Sequence, residues 1–249
     1  MRAPSSTAGR SLVTALCCVA AVAAWVRPAV ADRSGSAFAA RTYVEGVDVS
    51  HYQGTIDWSQ VASSGRQFAF AKATEGQTYN DPTFTTNRSG AKGAGLHFGA
   101  YHFARPDTSA NDAKLEADHF AGVAGYHSGE IAPTLDLEDS GGLSVDQLRV
   151  WVDTFLQELK VKTGVKGTIY TSPNFWKTYM GDTTYFANHG YKLLWIANWD
   201  VSQPSVPGNN WGGYGWTFWQ WTDNETVPGI SVPVDGDRYN KQVVDGISG

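Results

Sequence analysis

Cysteine is nearly absent. The 249 residues contain two, Cys17 and Cys18, and both lie in an apolar stretch close to the start. Everything after that stretch lacks a thiol, which excludes a disulfide framework, a zinc–thiolate site and a cysteine nucleophile. Other chemical signatures are missing too. The six histidines, His51, His97, His102, His119, His127 and His189, show no His-Glu-x-x-His spacing for zinc. There is no Gly-x-Ser-x-Gly elbow and no phosphate-binding loop. Basic side chains are outnumbered, 19 against 24 acidic, and no basic patch stands out, so nucleic acid is not an expected partner.

A membrane-spanning run is lacking as well. The uncharged stretch Leu12 to Val26 falls short of the roughly 20 residues a bilayer requires. It follows Arg2 and Arg10 and precedes Ala29-Val30-Ala31. A basic start, a short apolar segment and small residues at a cleavage point read as a secretory signal peptide over residues 1–31. Residues 32–42 read as a flexible leader and 43–249 as one domain, long enough to bury a large core without disulfides. The expected product is extracellular, monomeric and free of the membrane once the signal is removed. Loss of Arg2, Arg10 and Arg27 with the signal takes the formal charge from −5 to −8.

What the chain does have is aromatic side chains, ten of them tryptophan. They supply either a large core or platforms for sugar faces, and composition alone does not separate the two. Short apolar runs alternate with helix-like segments and suggest strands at 44–49, 67–73, 96–103, 131–137, 167–171, 192–197 and 217–221. Helical patterns lie at 81–92 and 109–124. The clearest helix runs from Ser144 to Val161. Ser144 and Gln147 form a capping box, Val145, Leu148, Val152, Phe155 and Leu159 make one apolar stripe, and Gly164 stops it. Strands separated by helices imply parallel βα units, in an open sheet or a closed barrel. The helix-poor stretch after about residue 165 favours the barrel. The Gly-rich segment 201–216 is expected to be a long loop.

The sharpest chemical feature is Pro133-Thr134-Leu135-Asp136-Leu137-Glu138-Asp139. On a strand, residues two apart share a face. Leu135 and Leu137 then face the helices, while Asp136 and Glu138 point inward at the C-terminal rim, where barrel enzymes keep their sites. Neighbouring carboxylates in a partly dry site push one pKa up, so that one acid stays protonated near neutral pH. Such a pair suits glycoside hydrolysis, although two acids at a strand end are as often a solvated or ion-paired feature. Asp48 ends an apolar strand, and Asp235 lies in Val234-Asp235-Gly236-Asp237 near the chain end. In a closed barrel the first and last strands are neighbours, so Asp48 and Asp235 would join the cluster.

These segments resemble the Chalaropsis-type lysozymes, glycoside hydrolase family 25. The matching stretches are GVDVSHYQGTIDW from Gly46, FAFAKATEG from Phe68, GAYHF from Gly99, PTLDLED from Pro133, IYTSPNFW from Ile169, LWIANW from Leu194, FWQWTD from Phe218 and VDGDRYN from Val234. The resemblance implies a flattened β/α barrel, TIM-like, with eight strands and about five helices. It implies hydrolysis of the β-1,4 bond between N-acetylmuramic acid and N-acetylglucosamine in peptidoglycan glycan strands. Carried over, Glu138 is the general acid and Asp136 its electrostatic partner, with Asp48 and Asp235 completing the acidic site. Tyr101 and Tyr170 line the cleft, and Trp195, Asn198 and Gln220 are expected sugar contacts. The Asp136-Leu137-Glu138 triplet stands where the family often has DVE or DIE, which keeps the outward apolar position.

Two carboxylates need neither metal nor organic cofactor, and none is expected. The residues leave open whether the substrate's acetamido group attacks with retention or a water attacks with inversion. A sugar-binding protein on the same barrel and a chitin-cleaving enzyme are the rival readings. Lys72 and Glu75 are expected to pair with each other. His51 and His102 are expected to be hydrogen-bonded groups behind the cleft.

Overall fold

The computed structural model describes residues 43–240; the signal peptide and leader expected over 1–42 lie outside the described residues. Among the described residues nine strands form one sheet: β1 (Tyr43–Val49), β2 (Phe68–Glu75), β3 (Tyr79–Asn80), β4 (His97–Phe103), β5 (Thr134–Asp136), β6 (Thr168–Thr171), β7 (Leu194–Ala197), β8 (Phe218–Glu225) and β9 (Val234–Asn240). Their order is β1-β9-β8-β7-β6-β5-β4-β2, and β1 pairs with β2 to close an eight-stranded barrel. The two-residue β3 is a spur, antiparallel to β2.

Seven barrel strands run parallel; β9 does not. It pairs antiparallel with both β8 and β1, a departure from the parallel βα units that the alternation of strands and helices implies. The physical reason lies in the connection. A parallel crossover needs a dozen or more residues, whereas the short link from β8 to β9 returns the chain directly. The result matters for function, because an antiparallel β9 brings its first residues, not its last, to the C-terminal rim.

Among the described residues there are seven helices rather than about five: α1 (Trp58–Ser63), α2 (Phe84–Gly93), α3 (Asp112–Ala124), α4 (Val145–Thr163), α5 (Pro173–Tyr179), α6 (Tyr185–Asn188) and α7 (Pro207–Gly212). The additional ones are short pieces with little room for periodicity. In α7 the expected long loop winds left-handed over Gly208–Trp211, with φ between +50° and +60°. Gly and Asn accept that conformation most readily. Trp211 is held there by burial and by its indole N–H donating to the Tyr191 carbonyl at 2.9 Å.

The longest helix, α4, starts as its sequence dictates. The Ser144 hydroxyl accepts the Gln147 N–H, the Gln147 side chain returns to the Ser144 N–H, and Gly164 ends the helix in the left-handed region. Leu148, Val152, Phe155, Leu156 and Leu159 are fully buried, each contributing about 1.5–3 kcal/mol. They join the larger apolar layer between helices and barrel, together with Leu135, Leu137 and Ile169.

A second apolar layer fills the barrel itself, from Phe68, Phe70, Tyr101, Tyr170, Trp195 and Phe218. Alternation along β2 sends Phe68 and Phe70 inward and Ala69 and Ala71 outward. Space inside is tight: a Cβ on Gly46 would come within 2.6 Å of the Phe68 ring. Trp195 stacks on Phe70 at 4.2 Å and meets Tyr170 edge-on at 4.7 Å. These rings make an apolar floor, and most of the side chains that line the space above it are polar.

Candidate active site

Strand β5, three residues long, begins only at Thr134 because Pro133 offers no N–H to a ladder. The extended alternation nevertheless continues past it: the Leu137 N–H donates to the Tyr170 carbonyl at 2.9 Å. Leu135 and Leu137 are wholly buried under the helices, and Asp136 turns into the barrel. Glu138 lies two residues beyond the strand, on the same face but open to solvent.

A cavity of about 210 Å³ opens above the aromatic floor, and Asp48, Asp136, Glu138 and Asp235 all line it. Tyr101, Tyr170, Trp195 and Gln220 do so too. Thus eight of the nine residues singled out from the sequence share one cavity. The ninth, Asn198, lines an adjoining groove, and its side-chain oxygen accepts the Ser205 N–H at 2.8 Å.

Gln220 is a clamp with its hydrogen bonds committed. Its oxygen accepts the Tyr170 hydroxyl at 2.9 Å and the Trp199 indole N–H at 3.0 Å; its amide donates to Asp48 at 2.8 Å. Trp195 forms floor rather than wall. It is 2 % exposed and spends its indole N–H on Asp237 at 2.8 Å.

Asp237 went unrecognised in the sequence, although the period-two logic that pairs Asp136 with Glu138 also pairs Asp235 with Asp237. It is fully buried beneath Asp48, and one of its carboxyl oxygens has no hydrogen-bond partner. Five acids therefore cluster at one end of the barrel.

Burial is the first cause of every shift in that cluster, and like charge is the usual second. Asp136 rises well above the carboxylate range, through burial and then the charges of Glu138 and Asp48. Glu138 rises through burial, while Lys72 and Arg105 pull it back. Asp235 is pushed up to about 9 by burial and by Asp48. Asp48 and Asp237 both rise, each buried and each facing another acid of the cluster. At neutral pH the cluster thus holds protons that isolated carboxyls would have lost.

The flanking cations are fixed in place. Lys72 pairs with Glu75, as expected, and Arg105 reaches Glu75 and Asp139, each at 2.8 Å. The histidines lie behind the cavity. His51 Nδ1 sits 2.9 Å from Asp81, while His102 bridges Thr74 and Glu116 at 2.8 Å each, within the helix layer. No group of His, Cys, Asp and Glu among the described residues is arranged to hold a metal ion.

A cleft with one solvent-open acid, a buried partner acid and an aromatic floor is suited to proton delivery to a glycosidic oxygen. Comparison with known proteins agrees. Residues 47–230 match the family model described as glycosyl hydrolases family 25. Lysozyme M1 of Streptomyces globisporus is 41% identical over 206 residues, 79% of this chain and 68% of that protein. The N,O-diacetylmuramidase of Arthroderma benhamiae is 33% identical over 236 residues, 91% of this chain and 94% of its own length. In three dimensions the bacterial lysozyme from Streptomyces coelicolor superposes with a TM-score of 0.73 at 39% identity, covering 79% of this chain and 92% of that one. The chain belongs to glycosyl hydrolases family 25 and is a glycoside hydrolase.

Proposed function

We propose that the enzyme is a secreted muramidase that cleaves the β-1,4 bond between N-acetylmuramic acid and N-acetylglucosamine in peptidoglycan. Relatives named lysozyme and N,O-diacetylmuramidase support the substrate. The signal-like residues 1–31 support export, and no helix among the described residues is long and apolar enough to cross a membrane.

The observation that carries the mechanism is the state of the Asp136 carboxyl. It is buried on the cavity wall, and its Oδ1 has no hydrogen-bond partner. A buried acceptor left unpaired is costly, and the acetamido N–H of a bound amino sugar satisfies it. Accepting that N–H favours the charged form of Asp136, which leaves the shared proton on Glu138. Glu138 then delivers it to the glycosidic oxygen as that bond breaks and the oriented acetamido oxygen attacks the anomeric carbon; water, deprotonated by Glu138, then opens the resulting oxazoline, so two displacements retain the configuration. Asp48 and Asp235 hold the sugar from the opposite wall, with Tyr101 and Tyr170 between the two sides.

Digestion of insoluble peptidoglycan by residues 32–249, with reduction and mass spectrometry of the fragments, tests this reading. New muramic acid reducing ends from the parent protein are expected. Glu138→Gln should lower their yield by about 10²–10⁴-fold, the range for loss of a general acid. Glucosamine ends refute the bond assignment and keep the glycosidase.

A further inference from the structure

The cavity does not end at Glu138. A second groove of about 570 Å³ adjoins it, and Glu138 and Tyr170 line both. One wall of that groove is α5. Ser172 caps this helix by accepting the Phe175 N–H at 3.1 Å, and Phe175 and Trp176 turn into the protein. Asn174 and Lys177, three residues apart, share the face that remains, and both line the groove. The other side is formed by Asn198, Trp199 and Ser205. Trp199 is 44% exposed, yet its indole N–H is anchored on Gln220, so its ring stands as a fixed wall.

Charge distinguishes this groove from the cavity beside it. Lys72 and Arg105, the cations flanking the acid cluster, are committed to Glu75 and Asp139. Lys177 has no ion pair, hydrogen bond or ring contact among the described residues. Among the described residues that line the cavity and the groove, Lys177 is the one unpaired ammonium, and there an anionic group on a glycan is attracted rather than repelled.

We propose that the groove is the subsite for the departing part of the glycan, and that Lys177 binds a carboxylate displayed there by a muramic acid. The inference rests on the muramidase reading of the cavity. A bond protonated by Glu138 places the sugar before it over Asp136 and the sugars after it beyond Glu138, along α5. Muramic acid recurs at every second sugar. It offers a carboxylate either as its free lactyl group or on an attached peptide, and Lys177 suits both.

The test is calorimetry in the Glu138→Gln background, with and without Lys177→Met, using three tetrasaccharides. One is a peptide-bearing muramic acid–glucosamine repeat, one is the same glycan with free lactyl groups, and one is chitotetraose, which has no carboxylate. Lys177→Met should weaken binding of an acidic ligand by about three- to tenfold, the scale of a partly exposed charge-assisted contact. Chitotetraose should be unaffected, and Lys177→Arg should restore the loss. A loss confined to the peptide-bearing ligand assigns the peptide carboxylate, and one confined to the stripped glycan assigns the lactyl group. Equal effects on all three ligands, or none on any, overturn the proposal. Turnover separates its failure from that of the parent reading. If the active enzyme releases muramic acid ends and Lys177→Met leaves kcat/KM on peptidoglycan unchanged, the subsite falls alone. If no muramic acid ends appear, both fall.

Discussion

Asp48 on β1 stands directly opposite Asp235 on β9 in the antiparallel pairing that closes the barrel. The two acids come from the first and the last strand, and they meet because β9 reverses direction. A parallel β9 would carry Asp235 to the opposite end of the barrel, away from Asp136 and Glu138. Burial raises both; Asp48 is the main charge acting on Asp235, Asp237 is the main charge acting on Asp48, and Gln220 offsets part of the cost at Asp48. The seam is therefore both the closure of the fold and one wall of the active site.

The pH profile should respond to Lys72. Glu138 acts as an acid only while protonated, so activity is lost as pH rises through its pKa. Burial raises that pKa, and the Lys72 ammonium, the largest opposing influence, lowers it. Lys72→Met removes the cation, so the alkaline limb of kcat/KM should move to higher pH. Glu75 keeps Arg105 as a partner, which holds the loop in place. A limb that stays where it was, or moves to lower pH, rejects this placement of the general acid.

How much of this was legible beforehand depended on the length scale. The inward set of Asp136 and Glu138 and the outward set of Leu135 and Leu137 follow from period-two alternation, which is local. The Ser144–Gln147 capping box and the α4 stripe are local as well. The reversal of β9 and the left-handed turn at Gly208–Trp211 were not legible, because each is decided by what the chain must meet elsewhere. Asp237 was missed for a different reason: its role comes from Trp195, 42 residues away in sequence. The hydrogen bonds that hold Gln220 were not legible either, because its three partners come from β1, β6 and the segment after β7.

Stability should depend on pH through Glu116. This side chain is almost fully buried against His102, and burial lifts its pKa from 4.5 to about 8. Between those values the folded state holds a proton that the unfolded state has released, so its contribution falls as pH rises. His102 is shifted downward by burial and acts with the opposite sign, but only below its ordinary 6.5. From 6.5 to 8 Glu116 dominates the pair. Glu116→Gln cannot ionise, so its Tm relative to the parent should climb from about pH 5 to 8 and level off above. A difference in Tm that is flat across this range rules out a protonated Glu116.

Asp237 should tolerate an amide but not truncation. Asp237→Asn keeps an oxygen for the Trp195 indole and gives Asp48 a donor in place of a competing acid. Asp237→Ala leaves that indole N–H buried without an acceptor, a cost of about 1–3 kcal/mol, and opens space under the site. Denaturant unfolding should therefore rank the parent and Asp237→Asn close together and Asp237→Ala well below. Equal stability of the two variants would falsify the view that Asp237 serves as an acceptor for the floor of the cavity.

The loop that follows Glu138 should be more sensitive than its exposure suggests. Gly141 has φ of +57°, and a Cβ there would lie 1.6 Å from the Pro106 carbonyl oxygen. Both the conformation and the space demand glycine. The Gly141 N–H also donates to Asp139 at 2.9 Å, and Asp139 holds Arg105, which faces Glu138. Gly141→Ala must push the loop away from Pro106 and loosen that chain of contacts. Because Gly141 lies outside the main apolar layers, the loss of kcat should exceed what the fall in Tm accounts for at assay temperature. The matched control is Gly142→Ala, which also has a positive φ, of +74°, but meets nothing within 4 Å. It carries the backbone strain without the collision. If the two variants lose kcat equally, backbone strain alone is responsible and the contact with Pro106 does not position the general acid.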